Sequence, residues 1–257
     1  MRQPALFLAH GSPMNALADN AFTRALAALG ARLPRPAAVL CVSAHWLTHG
    51  TAVTGMSEPR TIHDFGGFPE ALYKVKYPAP GSPALAARVR ELLGAKTAID
   101  ESEWGLDHGA WSVLRHVFPK ADVPVVQLGI DLGAPARRHF ELGAKLRPLR
   151  DEGVLIVGSG NVVHNLRRIS WEEDAEPVAW AVAFSDHVKR RALARDFDAL
   201  LADPASAPGG REAVPTPDHY DPLLYVLGAA AEGETPSVLF DAIQNGSISM
   251  LSLGFGA

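Results

Sequence analysis

A chain of 257 residues with 47% hydrophobic and 20% charged content has the composition of a soluble globular protein with a substantial core. Its net charge of −4 excludes the basic field that nucleic acid or an anionic membrane surface would require. No stretch approaches the roughly 20 apolar residues of a membrane span, and the single cysteine, Cys41, excludes an internal disulfide.

The first apolar run, Ala5–Ala9, reaches His10 too soon for a secretory hydrophobic region, so a reducing, cytoplasmic setting is expected. Ala21–Leu29 is rich in Ala and Leu and reads as a helix ending at Gly30. Ala38–Ala44 is a second buried strand with Cys41 inside it, and Thr51–Thr54 adds an edge strand. Ser82-Pro83 is an N-cap followed by proline, and Gly94 closes that helix. Asp107–Phe118 is helical with Pro119 just beyond, and Val123–Ile130 is the next strand. Ala136–Asp151 is an amphipathic helix that Pro148 breaks early, and Gly153–Val157 is another strand. Pro177–Asp196 is a long helix, and Ala202–Pro217 reads as a rim loop leading to His219. Asp221-Pro222 repeats the cap-plus-proline signal before Leu223–Ala231, and Ser247–Leu253 is the last strand. The strand runs are short, rich in Val, Ile and Leu, and mostly do not alternate, as in strands covered on both faces. Alternation of strands with helices predicts one α/β domain over residues 1–257, with a central, largely parallel sheet flanked by helices.

Five histidines fall where such a fold would gather them. His10 and His45 lie at the ends of the first two strands, His164 follows Gly158-Ser-Gly-Asn, His219 follows Thr-Pro-Asp, and His108 opens a helix. Ligands of open α/β sheets bind at the carboxyl ends of the strands, and neutral imidazole is the commonest metal ligand. A mononuclear metal site at that rim is therefore expected. In the first turn of its helix His108 is favoured as the neutral imidazole, which suits a general base or a hydrogen-bond partner. The Gly158–Asn161 turn could also cradle phosphate, but it lacks a dinucleotide fingerprint and a P-loop lysine. His63, Asp64, Phe65 and Phe68 share a loop hinged at Gly66-Gly67, and with Tyr220 they are expected to line a pocket for a flat aromatic ligand. His116, His139 and His187 sit within helical patterns and His49 trails its strand, so these four read as structural or exposed.

In this order His10-Gly-Ser-Pro, Ser43-Ala-His45-Trp, Ile62-His-Asp-Phe-Gly-Gly-Phe-Pro69, Gly105-Leu-Asp-His108-Gly, Gly158-Ser-Gly-Asn-Val-Val-His164-Asn-Leu and His219-Tyr-Asp-Pro-Leu223 span most of the chain. Together they resemble the class III extradiol ring-cleavage dioxygenases, in the branch similar to DOPA 4,5-dioxygenases. The resemblance implies one non-haem Fe(II) and a reaction that opens a catechol ring with dioxygen. It implies His10 and His45 as metal ligands, with His219 where most members carry a glutamate. An all-imidazole set suits Zn(II) as well as Fe(II). His164 matches the acid/base histidine of these enzymes and is also the candidate for a fourth ligand, while His108 matches a second active-site histidine. Two other readings use the same residues: a zinc hydrolase with an open metal position, and a non-catalytic protein whose metal is closed by four histidines.

Overall fold

The computed structural model describes residues 2–257. Among the described residues ten strands and ten α-helices follow one another. The first half holds β1 (Ala5–Ala9), α1 (Ala21–Arg32), β2 (Ala38–Thr48), β3 (Ala52–Thr54), α2 (Glu70–Tyr73), α3 (Pro83–Leu93), β4 (Ala98–Asp100), α4 (His108–Val117) and β5 (Val125–Asp131). The second half holds α5 (Ala136–Leu146), α6 (Pro148–Asp151), β6 (Val154–Gly160), α7 (Ala179–Leu193), α8 (Phe197–Leu201), α9 (Gly210–Ala213) and α10 (Asp221–Ala229). It closes with β7 (Pro236–Phe240), β8 (Ile243–Gln244), β9 (Ile248–Ser249) and β10 (Ser252–Phe255).

Eight strands form one sheet in the order β4-β3-β5-β2-β6-β1-β10-β7. The central four, β5-β2-β6-β1, are parallel; β3 runs against β5, and β10 runs against both β1 and β7. Alternate residues of the central strands enter opposite cores. Phe7, Leu40 and Val42 pack on one face with α3, α5, α7 and α10, whereas Leu6, Leu8, Val39 and Cys41 pack on the other with α1 and α4. Burial on both faces is the reason these strands read as unbroken apolar runs.

Local chemistry sets several boundaries. Ser82 accepts the amide of Leu85 and Pro83 opens α3, which Gly94 ends at φ +111°. Asp107 caps α4 by accepting the amide of Ala110. Other boundaries depart from the sequence expectation. Helix α1 runs through Gly30 to Arg32, because Gly30 lies against the Val117 carbonyl, where a Cβ would collide. The strand expected at Ser247–Leu253 is split into β9 and β10; the Ser249 hydroxyl takes the amide of Leu251, and the Ser252 hydroxyl takes that of Ala9. Asp221 does not cap α10. It is the first helical residue, follows Tyr220 at the cap position, and meets His139 instead. Strand β3 is internal, since β4 lies outside it, and the other edge is β7. Neither β4 nor β7 was expected from the sequence: one is three residues long and the other half-buried. The stretch Ala202–Pro217 carries α9 and a short 3-10 turn at Pro204–Ser206, and then leads to His219 as expected. Among the described residues no helix is long and apolar enough to cross a membrane.

Candidate metal centre

Strand register brings the first histidines together. Ala9 of β1 pairs with Gly160 of β6, and Ser43 of β2 pairs with Ser159 of β6, so β1 and β6 end level with Ser43, while β2 continues past the expected Ala44 through His45 to Thr48. Adjacent strands lie only about 4.8 Å apart, so His10 and His45 must meet above β6. Gly11, at φ +59°, turns the chain away at once, packed so closely on Met250 and Asn15 that a Cβ would clash. Helix α4 reaches the same rim from one face. Gly109 makes that possible, because a Cβ there would strike Ser43 Oγ and the His45 ring. From the other face the segment before α10 delivers His219, whose carbonyl accepts the amide of Asn161 at 2.9 Å.

The five rings form one cluster. Ring centroids are 5.0 Å apart for His10–His45, 5.2 Å for His10–His219, 5.0 Å for His45–His219 and 3.9 Å for His45–His108. His164 lies flat on His219, with centroids 3.5 Å apart and planes 4° from parallel. One ligand atom from each of His10, His45 and His219 lies within 4.8 Å of the others.

Behind each of these three rings an oxygen lies against Nδ1. His10 Nδ1 is 3.1 Å from Ser159 Oγ. That hydroxyl donates to the Gly109 carbonyl at 2.6 Å, so it accepts from His10 and leaves His10 Nε2 without a proton. His45 Nδ1 lies 3.3 Å from Asp64 Oδ2. His219 Nδ1 donates to Asp218 Oδ2, while His219 Nε2 is buried without any partner. Nδ1 bound to an oxygen behind it, with Nε2 bare in front, is the arrangement of a metal-binding histidine. His10 Nε2 and His45 Nε2 face each other at 3.2 Å. A proton on His45 Nε2 can bridge that distance as an N–H···N hydrogen bond, and because ligands about 2.0 Å from a tetrahedral ion are about 3.3 Å apart, a metal ion can take the proton's place. The donor set therefore fits a divalent metal.

Electrostatics agree with the geometry. Burial, and then the neighbouring imidazoles, hold His10 well below the ordinary histidine range, and the same causes act on His45. Burial followed by the nearby His219 lowers His164 to about 3. These rings stay neutral, which is the form that can bind a metal or accept a proton. Asp64 sits below the usual aspartate range: burial pushes it upward, but the contacts with His108 outweigh that. Asp107 is pushed up by its complete burial and by the charge of Asp64.

The other expected site residues divide. Phe65 lies edge-on to His108 with centroids 5.4 Å apart, and Phe68 packs against Phe65 at 5.4 Å. His63 has its Nε2 on the Val75 carbonyl at 2.9 Å and packs on Trp111, so it anchors the loop. Asp64 has its oxygens turned to His45 and His108 and is committed to those rings. Tyr220 is a correction. Residues i and i+1 at a helix start point to different sides, so with His219 at the rim, Tyr220 is turned into the core against Phe184, and its hydroxyl donates to the Leu200 carbonyl at 3.0 Å. The phosphate reading of Gly158–Asn161 is also corrected. Ser159 and Asn161 are buried and hold His10 and Gly11, and the two glycines admit the backbone of Pro222 and His219. Sequence reasoning missed Ser159 and Asp218 as supports; their signal was adjacency, one inside the glycine turn and one next to His219.

The family described as the catalytic LigB subunit of aromatic ring-opening dioxygenase matches residues 4–253. A protein of Escherichia coli (strain K12) named 4,5-DOPA dioxygenase extradiol is 53% identical over 258 residues, covering 99% of this chain and 95% of the relative. One of the same name from Beta vulgaris is 36% identical over 255 residues, covering 97% and 95%. The crystal structure of an uncharacterized Escherichia coli K12 protein superimposes with a TM-score of 0.86 at 48% identity, covering 99% of this chain and all of that one. With its single α/β domain and histidine-lined rim, the chain belongs to the LigB family of aromatic ring-opening dioxygenases, which are oxidoreductases.

Proposed function

We propose that this chain is an extradiol dioxygenase that uses Fe(II) to open the ring of a DOPA-like catechol with dioxygen. The observation that carries this reading is the convergence of His10, His45 and His219, each with an oxygen against Nδ1 and bare or facing inward at Nε2. Support for a catechol comes from the relatives, which are named for action on DOPA.

His10, His45 and His219 would hold the iron, which when bound favours ionisation of the catechol hydroxyls and offers a place for dioxygen. His164 and His108 flank that point and handle protons. Held neutral by burial, His164 can accept a hydroxyl proton and return it as the ring opens. Phe65 and Phe68 wall the side next to His108, excluding water from a flat ring. In the overall reaction the ring carbon–carbon bond beside the diol breaks and both oxygen atoms enter the product.

Anaerobic loading with Fe(II), followed by a panel of catechols in air, tests the reading. The expected result is uptake of one dioxygen per ring opened, with a new visible absorption band. Turnover that persists without air would instead identify a zinc hydrolase. A metal-filled protein with no turnover would identify a binding protein closed by His164.

A further inference from the structure

Asp64 is a carboxylate placed against two of the rim histidines. Its Oδ2 lies 3.3 Å from His45 Nδ1 and 3.0 Å from His108 Nδ1, and its Oδ1 accepts the backbone N–H of His108 at 2.9 Å. A single oxygen between two rings lies on the straight hydrogen-bond line of neither, and His108 Nδ1 is buried without a hydrogen bond, 3.0 Å from that oxygen. The loop that delivers Asp64 is pinned on both sides. Trp111 Nε1 donates to the Ile62 carbonyl and the Ile62 amide donates to Leu106, each at 2.7 Å, while His63 Nε2 donates to the Val75 carbonyl at 2.9 Å. The neighbouring Asp107 differs. It accepts from Ser43, Ala110, Gln127 and Trp104, so its capacity is spent inside the scaffold.

We infer that Asp64 is a positioning residue: it sets the ring of the metal ligand His45 and the ring of the proton-handling His108 against one carboxylate, and does not contact substrate. This rests on the roles proposed above for those two histidines. The physical basis is that an outer carboxylate fixes the tautomer and orientation of a ligating histidine. Because the same oxygen also faces His108, the ligand and the proton-transfer group share one anchor.

The test compares Asp64→Asn and Asp64→Ala with the wild-type chain. Asn keeps the size but has one acceptor oxygen, which cannot serve both the His108 amide and the two rings. Zn(II) and Co(II) affinities are measured by competition with a chromophoric chelator, together with the visible spectrum of the Co(II) form, catechol kinetics and thermal melting. Expected are a loss of metal affinity of about 10–100-fold, an altered Co(II) spectrum, and a fall in kcat with KM unchanged. Wild-type metal affinity and kcat with a raised KM would make Asp64 a substrate contact and overturn the inference. Loss of a second equivalent of metal bound by the wild type would overturn it too, making Asp64 a ligand of another ion. If Asp64→Ala fails to fold, Asp64→Asn is read alone. If the wild type opens no catechol, the proposed function fails, yet the affinities and Co(II) spectra still decide the place of Asp64.

Discussion

Two histidine–carboxylate clusters are buried in this protein, and they differ in what their nitrogens do. In the first, between α5 and α10, His139 Nδ1 meets the Tyr225 hydroxyl at 3.0 Å and Nε2 lies 3.4 Å from Asp221 Oδ2. Both ring nitrogens have partners. Burial drives His139 down to about 4 and Asp221 up to about 7, the latter with help from the charge of Asp218, so each is pushed toward its neutral form. At the rim, Nδ1 of His10 and His219 is hydrogen-bonded and that of His45 faces Asp64 at 3.3 Å, but Nε2 of His219 has no partner and those of His10 and His45 face each other. A buried polar atom without a partner costs about 1–3 kcal/mol. At the rim that cost falls on a nitrogen whose ring packs against those of His10 and His45. Burial and a nearby carboxylate do not make a histidine functional; a bare nitrogen aimed at others does.

The comparison breaks first at the metal. His10→Ala, His45→Ala and His219→Ala should each lose most of the bound metal and all ring-opening activity, measured by elemental analysis and oxygen uptake. His139→Ala should keep full metal content and instead lose about 1–3 kcal/mol of stability, through the unpaired Tyr225 and Asp221 groups. Wild-type stoichiometry in His45→Ala would take that residue out of the ligand set.

The next largest effect separates proton handling from metal holding. His164→Ala and His108→Ala should retain metal and lose about 10²–10⁴-fold in kcat, the usual worth of one acid or base. A His164→Ala protein purified without metal would make His164 the fourth ligand, and the rim would then resemble the closed cluster.

Acid sharpens the same contrast. In the folded chain His10, His45 and His164 are held below the ordinary value of 6.5, His164 at about 3. As pH falls below about 6.5 the unfolded chain takes up protons that the folded chain refuses, so metal-free protein loses stability. For His164 the loss accumulates from about 6.5 down to about 3. Melting in a chelating buffer from pH 7.5 to 5 should show this decline, reduced in His164→Gln; a flat profile in the wild type would contradict it.

The smallest expected effect lies at the wall. Phe65→Ala and Phe68→Ala should raise KM for catechol several-fold with metal content unchanged, an aromatic contact being worth about 0.5–1.5 kcal/mol beyond its area. Unchanged KM in both would mean that the substrate lies elsewhere on the rim.

Much of this was open to a reader of the residues. Short apolar runs, Ser82-Pro83 with Gly94, Asp107 before His108 and the break at Pro148 are local signals, because backbone sterics and capping act within a few residues. The expectation that His10 and His45 reach one rim from the first two strands also needed only the alternation of elements, whereas the place of β6 between those strands was not legible. Gly30 misled because its reason is Val117, 87 positions along the chain by their numbers. Tyr220 misled because the sequence states that two residues are adjacent, not that one faces the rim and the other the core. Ser159, Asp64 and Asp218 became supports only when register and helix docking set their oxygens against particular ring nitrogens. By itself the sequence determined the central strands, the longer helices and which residue types lie near strand ends, since those follow from local propensity and periodicity. Tertiary structure alone decided which imidazole nitrogens are occupied and which are bare, because a tautomer is set by partners that reach the ring from distant segments of the chain.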